Sequence, residues 1–156
     1  MLRPPLADDG LPVGMPNHHG IPTLGWEVLA WAEEFLAQPD GTSAGEPWRW
    51  TNTQARIVAW WYAVDEHGQW LYRRGQIVLP KGSGKSPLSA ATGLYCLVAD
   101  GEPGAEVYAA ASKRDQAMIL FRDAVAMVRQ SPRLGRALQI SGGPGNPLSV
   151  ADHGRR

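Results

Sequence analysis

Lys81-Gly82-Ser83-Gly84-Lys85-Ser86, approached through Gln76-Ile77-Val78-Leu79 and left through Leu88-Ser89-Ala90-Ala91, decides the reading of this chain. An apolar run, a glycine-rich turn and a helix-forming run in that order are how a phosphate-binding loop is built. Glycines at 82 and 84 let the backbone turn tightly and bring its N–H groups toward an anion. The helix that follows offers the positive end of its dipole to the same point. In such a loop Lys85 reaches the β- and γ-phosphates and the Ser86 hydroxyl ligates Mg²⁺. The stretch therefore predicts a nucleotide site, with ATP the first candidate. Two residues depart from the general pattern. Leu79 stands where a leading glycine is usual, and Pro87 removes one N–H from the first helical turn, where proline is tolerated. The plain alternative is a glycine-rich strand-to-helix turn that binds nothing.

Composition sets the frame around the loop. At 156 residues, 44% hydrophobic and 19% charged, the chain can bury one core and is not of the disordered class. No apolar stretch is long enough to span a bilayer, so no membrane role is expected. Met1-Leu2-Arg3-Pro4-Pro5 lacks an apolar signal core, which reads as an intracellular protein. Cys96, alone within Leu94-Tyr95-Cys96-Leu97-Val98, is expected as a buried reduced thiol. His18, His19, His67 and His153 show no metal-ligand spacing with any partner. Net charge is zero, which gives no overall basic field for DNA. The charges are uneven, though: residues 1–50 hold seven acids against Arg3 and Arg49, and residues from 111 onward hold eight Lys/Arg against Asp115, Asp123 and Asp152. A late nucleic-acid face and a solvated helix surface both fit that gradient.

Along the chain, residues 1–22 are Pro-, Gly-, Asp- and His-rich without a period and are expected as a flexible arm. A first helix is predicted over 24–37, with Thr23 near its N-cap and Trp26, Leu29, Ala30, Trp31 and Phe35 forming its apolar stripe. After a Pro/Gly-rich link, Thr51-Asn52-Thr53-Gln54 has capping-box form and opens a helix expected to reach about Glu66. A short strand over 69–72, the strand feeding the loop, a helix over 87–99 and a buried strand over 106–110 follow. Ser112 and Asp115 are expected to cap a helix burying Ala117, Phe121, Ala124, Val125 and Val128, ending before Pro132. Strand, loop, helix, strand and helix make a βαβ unit. The fold class predicted is α/β, an incomplete P-loop NTPase with a parallel sheet flanked by helices, preceded by N-terminal helices. Residues 23–143 form its body, and 144–156 an irregular, truncated tail.

Beyond the loop, several stretches resemble the large terminase subunit of tailed phages, the ATPase that drives DNA into a capsid. They are Leu24-Gly25-Trp26-Glu27-Val28 with Pro39-Asp40-Gly41, and Thr51-Asn52-Thr53-Gln54 before Trp60-Trp61-Tyr62. Tyr72-Arg73-Arg74-Gly75 then leads into Pro80-Lys81-Gly82-Ser83-Gly84-Lys85-Ser86-Pro87, and Ala109-Ala110-Ala111-Ser112 with Gln116-Ala117 comes last. The resemblance spans roughly residues 24–143. Each piece is weak alone; their order and spacing give the specificity. In that family the phosphate loop often carries an internal basic residue and no leading glycine, so Leu79 and Lys81 agree with it. The resemblance implies that Lys81 adds charge near the γ-phosphate and that Gln54 bonds the adenine edge, against a plain loop lysine and a plain capping-box glutamine. It further implies double-stranded phage DNA, a portal protein and a small terminase subunit as partners, an oligomeric ring for the full-length motor, and the cytoplasm of a host bacterium.

Hydrolysis also needs a Walker B aspartate, an acid to position water and a charge-stabilising arginine. Trp61-Tyr62-Ala63-Val64-Asp65-Glu66 imitates an apolar run ending in acids, but it precedes the loop and closes a predicted helix, so Asp65 and Glu66 read as a solvated turn. No later apolar run ends in Asp-Glu, and no catalytic residue is assigned. The resemblance would put Walker B and a nuclease domain beyond Arg156, as in a front fragment or a decayed, frameshifted prophage gene. Two other readings stay open: a piece of another helicase-like P-loop NTPase, and a non-catalytic remnant or interaction module with exposed sheet edges.

Overall fold

A computed structural model describes residues 22–143 and 146–152. Within them the chain forms α1 (Gly25–Phe35), α2 (Asn52–Trp61), α3 (Lys85–Val98), α4 (Arg114–Gln130), α5 (Pro132–Ala137), β1 (Leu138–Gly143) and β2 (Asn146–Asp152). The arm expected over 1–22 lies, apart from its last residue, outside the described residues.

One threonine both starts α1 and ties it to α2. The Thr23 hydroxyl accepts from Gly25 N at 3.0 Å and donates to Ala59 O at 2.6 Å. Val28, Leu29 and Ala32 are buried along one face, so the stripe is shifted from the expected one: of its residues Leu29 is buried, while Trp26, Ala30, Trp31 and Phe35 are half-buried. The helix stops at Phe35, two residues short of the expectation, because Leu36 turns extended and its carbonyl accepts from Trp48 N at 3.0 Å. The Pro/Gly-rich link is thus a tied loop, closed also by Gln38 N donating to Glu46 O at 2.8 Å. It delivers the Trp48 indole into the core, 1% exposed.

The capping box of α2 forms in full: Gln54 N donates to Thr51 Oγ1 at 3.2 Å, and Thr51 N donates to Gln54 Oε1 at 3.0 Å. The far end departs from the expectation. The helix ends at Trp61 rather than near Glu66, since Leu24 N takes the Tyr62 carbonyl at 3.0 Å and Ala63 bridges Thr23. Asp65 then caps a turn, its Oδ1 accepting from His67 N at 2.9 Å and Gln69 N at 2.8 Å. A short carboxylate that offers the backbone such bonds competes with helix continuation.

Two clusters of buried side chains hold the helices together. One joins α1, α3, α4 and α5 around Trp48 and Leu138; the other joins α1, α2 and α3 around Tyr62 and Tyr95. Helices α1 and α3 contribute to both, and Ala90, Ala91 and Leu94 of α3 meet Ala124, Met127 and Val128 of α4. Ser112 does not cap α4; Lys113 is the N-cap residue, and Ser112 Oγ donates to Gln116 Oε1 at 3.3 Å. Pro132 begins α5, where its missing N–H costs nothing, and Leu134 N donates to the Ser131 hydroxyl at 3.3 Å. Part of the charge gradient is internal: Arg133 of α5 reaches Glu34 of α1 at 2.7 Å and lies over the Phe35 ring.

The sheet departs furthest from the sequence reading. Among the described residues the one sheet is the antiparallel pair β1–β2, with Leu138 opposite Asp152 and Ile140 opposite Val150. It falls partly in the tail that was expected to be irregular. The runs 76–79 and 106–110, read as parallel strands, enter no ladder. Apolar β-branched residues fit a strand but cannot make one without a neighbour, and each run instead leans on helices. Ile77 packs against the α1–α2–α3 cluster, and Val107 sits where a Cβ on Gly93 of α3 would touch it at 3.4 Å. Both runs border a cleft of about 900 Å³ beside α3 and α4. Val78 at 80% and Tyr108 at 82% exposure show how little covers them.

A pH effect arises on α4. Burial, and then the charge of Asp40, push the half-buried Asp123 carboxyl up to about 6. The folded chain therefore holds this proton more tightly than the unfolded chain, whose aspartates titrate near the ordinary value of about 3.9. Stability from this group is full below pH ~4 and is lost as pH rises toward ~6. With allowance for solvent screening the loss is about 1 kcal/mol. Asp123→Asn is expected to raise the melting temperature at pH 7 by roughly 2–4 °C and to leave it unchanged at pH 4. An equal shift at both pH values would show that the charge is not the cause.

Candidate functional site

The glycine-rich segment forms a closed loop on the start of α3. Gly82 at φ +84° and Gly84 at φ +73° occupy the left-handed region, where a side chain would add strain. Gly84 is the N-cap residue of α3, and its carbonyl accepts the helix bond from Leu88 N at 3.0 Å. Lys85, the first helical residue, folds back and donates its ammonium to Leu79 O and Pro80 O, both at 2.7 Å. The Ser83 hydroxyl also donates to Pro80 O. The loop's incoming carbonyls are thus gathered onto one cation. The first turn of α3 has no side-chain cap and no acidic residue. Its early N–H groups, except that of Pro87, are left for solvent or an anion.

Nothing plugs this loop. Residues 80–83 are exposed, and a Cβ built on Gly82 meets no atom within 4 Å. Lys81 is exposed within it, while Lys85 and Ser86 are half-buried. The structure thus brings Lys81, Gly82, Ser83, Gly84, Lys85 and Ser86 together at one helix start. Gln54 joins them from beneath. It is buried, with Oε1 accepting from Thr51 N and Nε2 donating to Gly84 O at 3.4 Å. A Cβ on Gly84 would come within 2.7 Å of that amide nitrogen. The capping box thereby connects the start of α2 to the start of α3.

A second feature was missed in the sequence. A pocket of about 600 Å³ opens between α2 and residues 72–79, lined by Arg56, Trp60, Trp61, Tyr72 and Arg74 among others, and ending at Leu79. The signal existed: positions 53, 56, 57, 60 and 61 recur at i, i+3, i+4, i+7 and i+8, which is one face of a helix. That face was masked by the buried face formed by Ala55, Val58 and Ala59. The Lys and Arg side chains of this pocket and of the loop are Arg56, Arg74, Lys81 and Lys85, and neither the pocket lining nor the loop contains an Asp or Glu.

Cys96 is half-buried, with its Sγ 3.1 Å from Tyr62 Oη. Burial pushes the thiol up, and it pushes the phenol up too. Both therefore stay protonated at neutral pH, which fits packing rather than nucleophilic chemistry.

No sequence model of a protein family matches the chain. Its sequence is similar to the Gene 13 protein of Mycobacterium phage D29, 41% identical over 87 residues, covering 44% of this chain and 15% of that protein. The Gene 13 protein of Mycobacterium phage L5 is 40% identical over 87 residues with the same coverage. The chain thus spans about a seventh of the length of these relatives. In structure it is similar to the crystal structure of the HK97 bacteriophage large terminase, with a TM-score of 0.62 and 25% sequence identity. That likeness covers 81% of this chain and 25% of the other. No described helix is long and apolar enough to cross a membrane.

Proposed function

We propose that this chain is the ATP-binding N-terminal portion of a phage terminase large subunit, the motor that packages double-stranded DNA into capsids. The observation that carries the reading is the open loop of residues 79–85 closed on Lys85, at the uncapped start of α3, within a chain that is structurally similar to a large terminase. The residues present fit a triphosphate with its Mg²⁺. Lys85 and the first N–H groups of α3 would hold the phosphates, with Lys81 adding charge, and the Ser86 hydroxyl would supply a ligand to the metal. When bound, Mg²⁺ neutralises phosphate charge. Among the described residues no group of three His, Cys, Asp or Glu could hold a metal ion, and Ser86 is the one metal ligand proposed from this chain.

No residue of this chain is assigned to positioning the attacking water, so binding without turnover is the expected behaviour. Double-stranded DNA, a portal protein and a small terminase subunit belong to the same proposal as partners of the whole motor, with a ring of subunits as its assembly.

A second reading has one observation in its favour. The unladdered runs at 76–79 and 106–110, with Val78 and Tyr108 exposed, are what a non-catalytic remnant or interaction module would show. Calorimetric titration of the purified chain with MgATP separates the two. Saturable binding with a Kd below about 1 mM and no phosphate release is expected. A soluble, cooperatively melting chain that takes up no MgATP would end the motor reading.

A further inference from the structure

Glu106-Val107-Tyr108-Ala109-Ala110 is a bare length of backbone. Among the described residues, no N–H or C=O of this run bonds to another backbone group, and the run enters no bridge. All five residues are exposed, Val107 at 49% and Tyr108 at 82%. The run is nevertheless held in place from one side. Val107 lies where a Cβ on Gly93 of α3 would touch it at 3.4 Å, and Val107, Tyr108 and Ala109 border the cleft beside α3 and α4. Backbone groups without partners, on a fixed run of strand-forming residues, are a template for a further strand.

Its ends limit what can pair there. The turn at Pro103-Gly104, with Gly104 at φ +73°, precedes the run, and α4 carries the chain away from Arg114. A mate is therefore confined to one short segment. Charge then selects the sense of pairing. Asp100 and Glu106 lie before and at the start of the run, Lys113 lies just past its end, and all three are exposed. A parallel neighbour of the same sequence would set acid beside acid. An antiparallel one sets the acidic end of each run against the basic end of the other. Centred on Tyr108, such a pairing puts Glu106 opposite Ala110 of the second copy, Val107 opposite Ala109, and Tyr108 opposite its own equivalent. No like charges are opposed within the run. The net charge of the chain is zero, so no overall repulsion keeps two copies apart.

We propose that residues 106–110 are a self-association face, on which two copies of this chain pair antiparallel about a two-fold axis near Tyr108. Because both copies use the same segment, the pairing closes at two. The face uses no residue of the phosphate loop, so the inference does not depend on the nucleotide reading.

Sedimentation velocity on the whole chain across the micromolar range tests it, with circular dichroism to follow folding. Wild type is expected to show a reversible monomer–dimer equilibrium. Tyr108→Lys opposes two ammonium groups across the axis and should weaken the dimer by about 10-fold or more. The side chain is 82% exposed, so the melting temperature should not move. Glu106→Lys and Lys113→Glu should each weaken the dimer, and the double variant, which exchanges the charged ends, should restore it to within about 2-fold of wild type. Wild-type chain that stays monomeric at every concentration would overturn the inference, as would species that grow past the dimer. A Tyr108→Lys dimer as tight as wild type would show that another face pairs. Single charge reversals that weaken the dimer without rescue in the double variant would refute the antiparallel pairing.

Discussion

Lys85→Ala is expected to weaken MgATP binding by on the order of 100-fold while the chain stays folded. A hydrogen bond to a charged group contributes about 1.5–3 kcal/mol, and Lys85 would make such bonds to phosphate at the point of highest charge. The same ammonium now gathers Leu79 O and Pro80 O, so its removal also loosens the loop before any ligand arrives. The loop is exposed and outside both core clusters, so the melting temperature should move by only ~2–3 °C. Lys81→Ala, at an exposed position without these carbonyl contacts, is expected to cost less than about 10-fold. Calorimetry with both variants checks the order. A Lys85→Ala chain that binds MgATP as tightly as wild type would refute the phosphate site itself.

The largest loss of stability is expected from Gly25→Ala. Two terms oppose each other. Alanine is the better helix former by about 1 kcal/mol, and Gly25 is in α1. Against that, the added methyl would sit 2.6 Å from Ala59 Cα and 2.9 Å from Val58 O. These are backbone atoms, so no rotamer change relieves the clash, and α1 must move away from α2. That motion opens the contacts of Val28 and Leu29 with Ala55 and Val58 and stretches the Thr23–Ala59 bond. Overpacking of this kind typically costs about 1–3 kcal/mol, and the rigid neighbour places it at the upper end. The net is a loss of roughly 2 kcal/mol, or about 4–8 °C in melting temperature. Thermal denaturation followed by circular dichroism measures it. An unchanged or raised melting temperature would show that the helices do not approach this closely.

Local patterns carried much of the fold. Thr51 and Gln54 specify their reciprocal bonds within four residues, and that capping box formed as read. The glycines at 82 and 84 announced a tight turn, and in the structure both take left-handed backbone. Pro132 marked the break between α4 and α5 for the same local reason. The errors fell where distant segments decide. The extent of α2 beyond Trp61 was set by Thr23 and Leu24, nearly forty residues away, which take the Tyr62 and Ala63 positions. The runs at 76–79 and 106–110 have strand composition, yet a ladder is a property of two segments, and neither run has a described partner. Of the candidate site, the loop was legible because its chemistry is contiguous in sequence. Arg56, Trp60, Tyr72 and Arg74 were not, because they come from two segments, α2 and residues 72–79, that line one pocket only in the folded chain.

By itself, then, the sequence determined the turn at 81–86 and the capped start of α2, since each follows from backbone preferences and side-chain bonds within a few residues. Only the tertiary structure decided that Lys85 closes the loop on its own carbonyls, that Gln54 lies under Gly84, and that a pocket opens beside them. Those contacts join residues brought together by the docking of α1, α2 and α3, and the free energy for that docking comes from buried surface that no single segment contains.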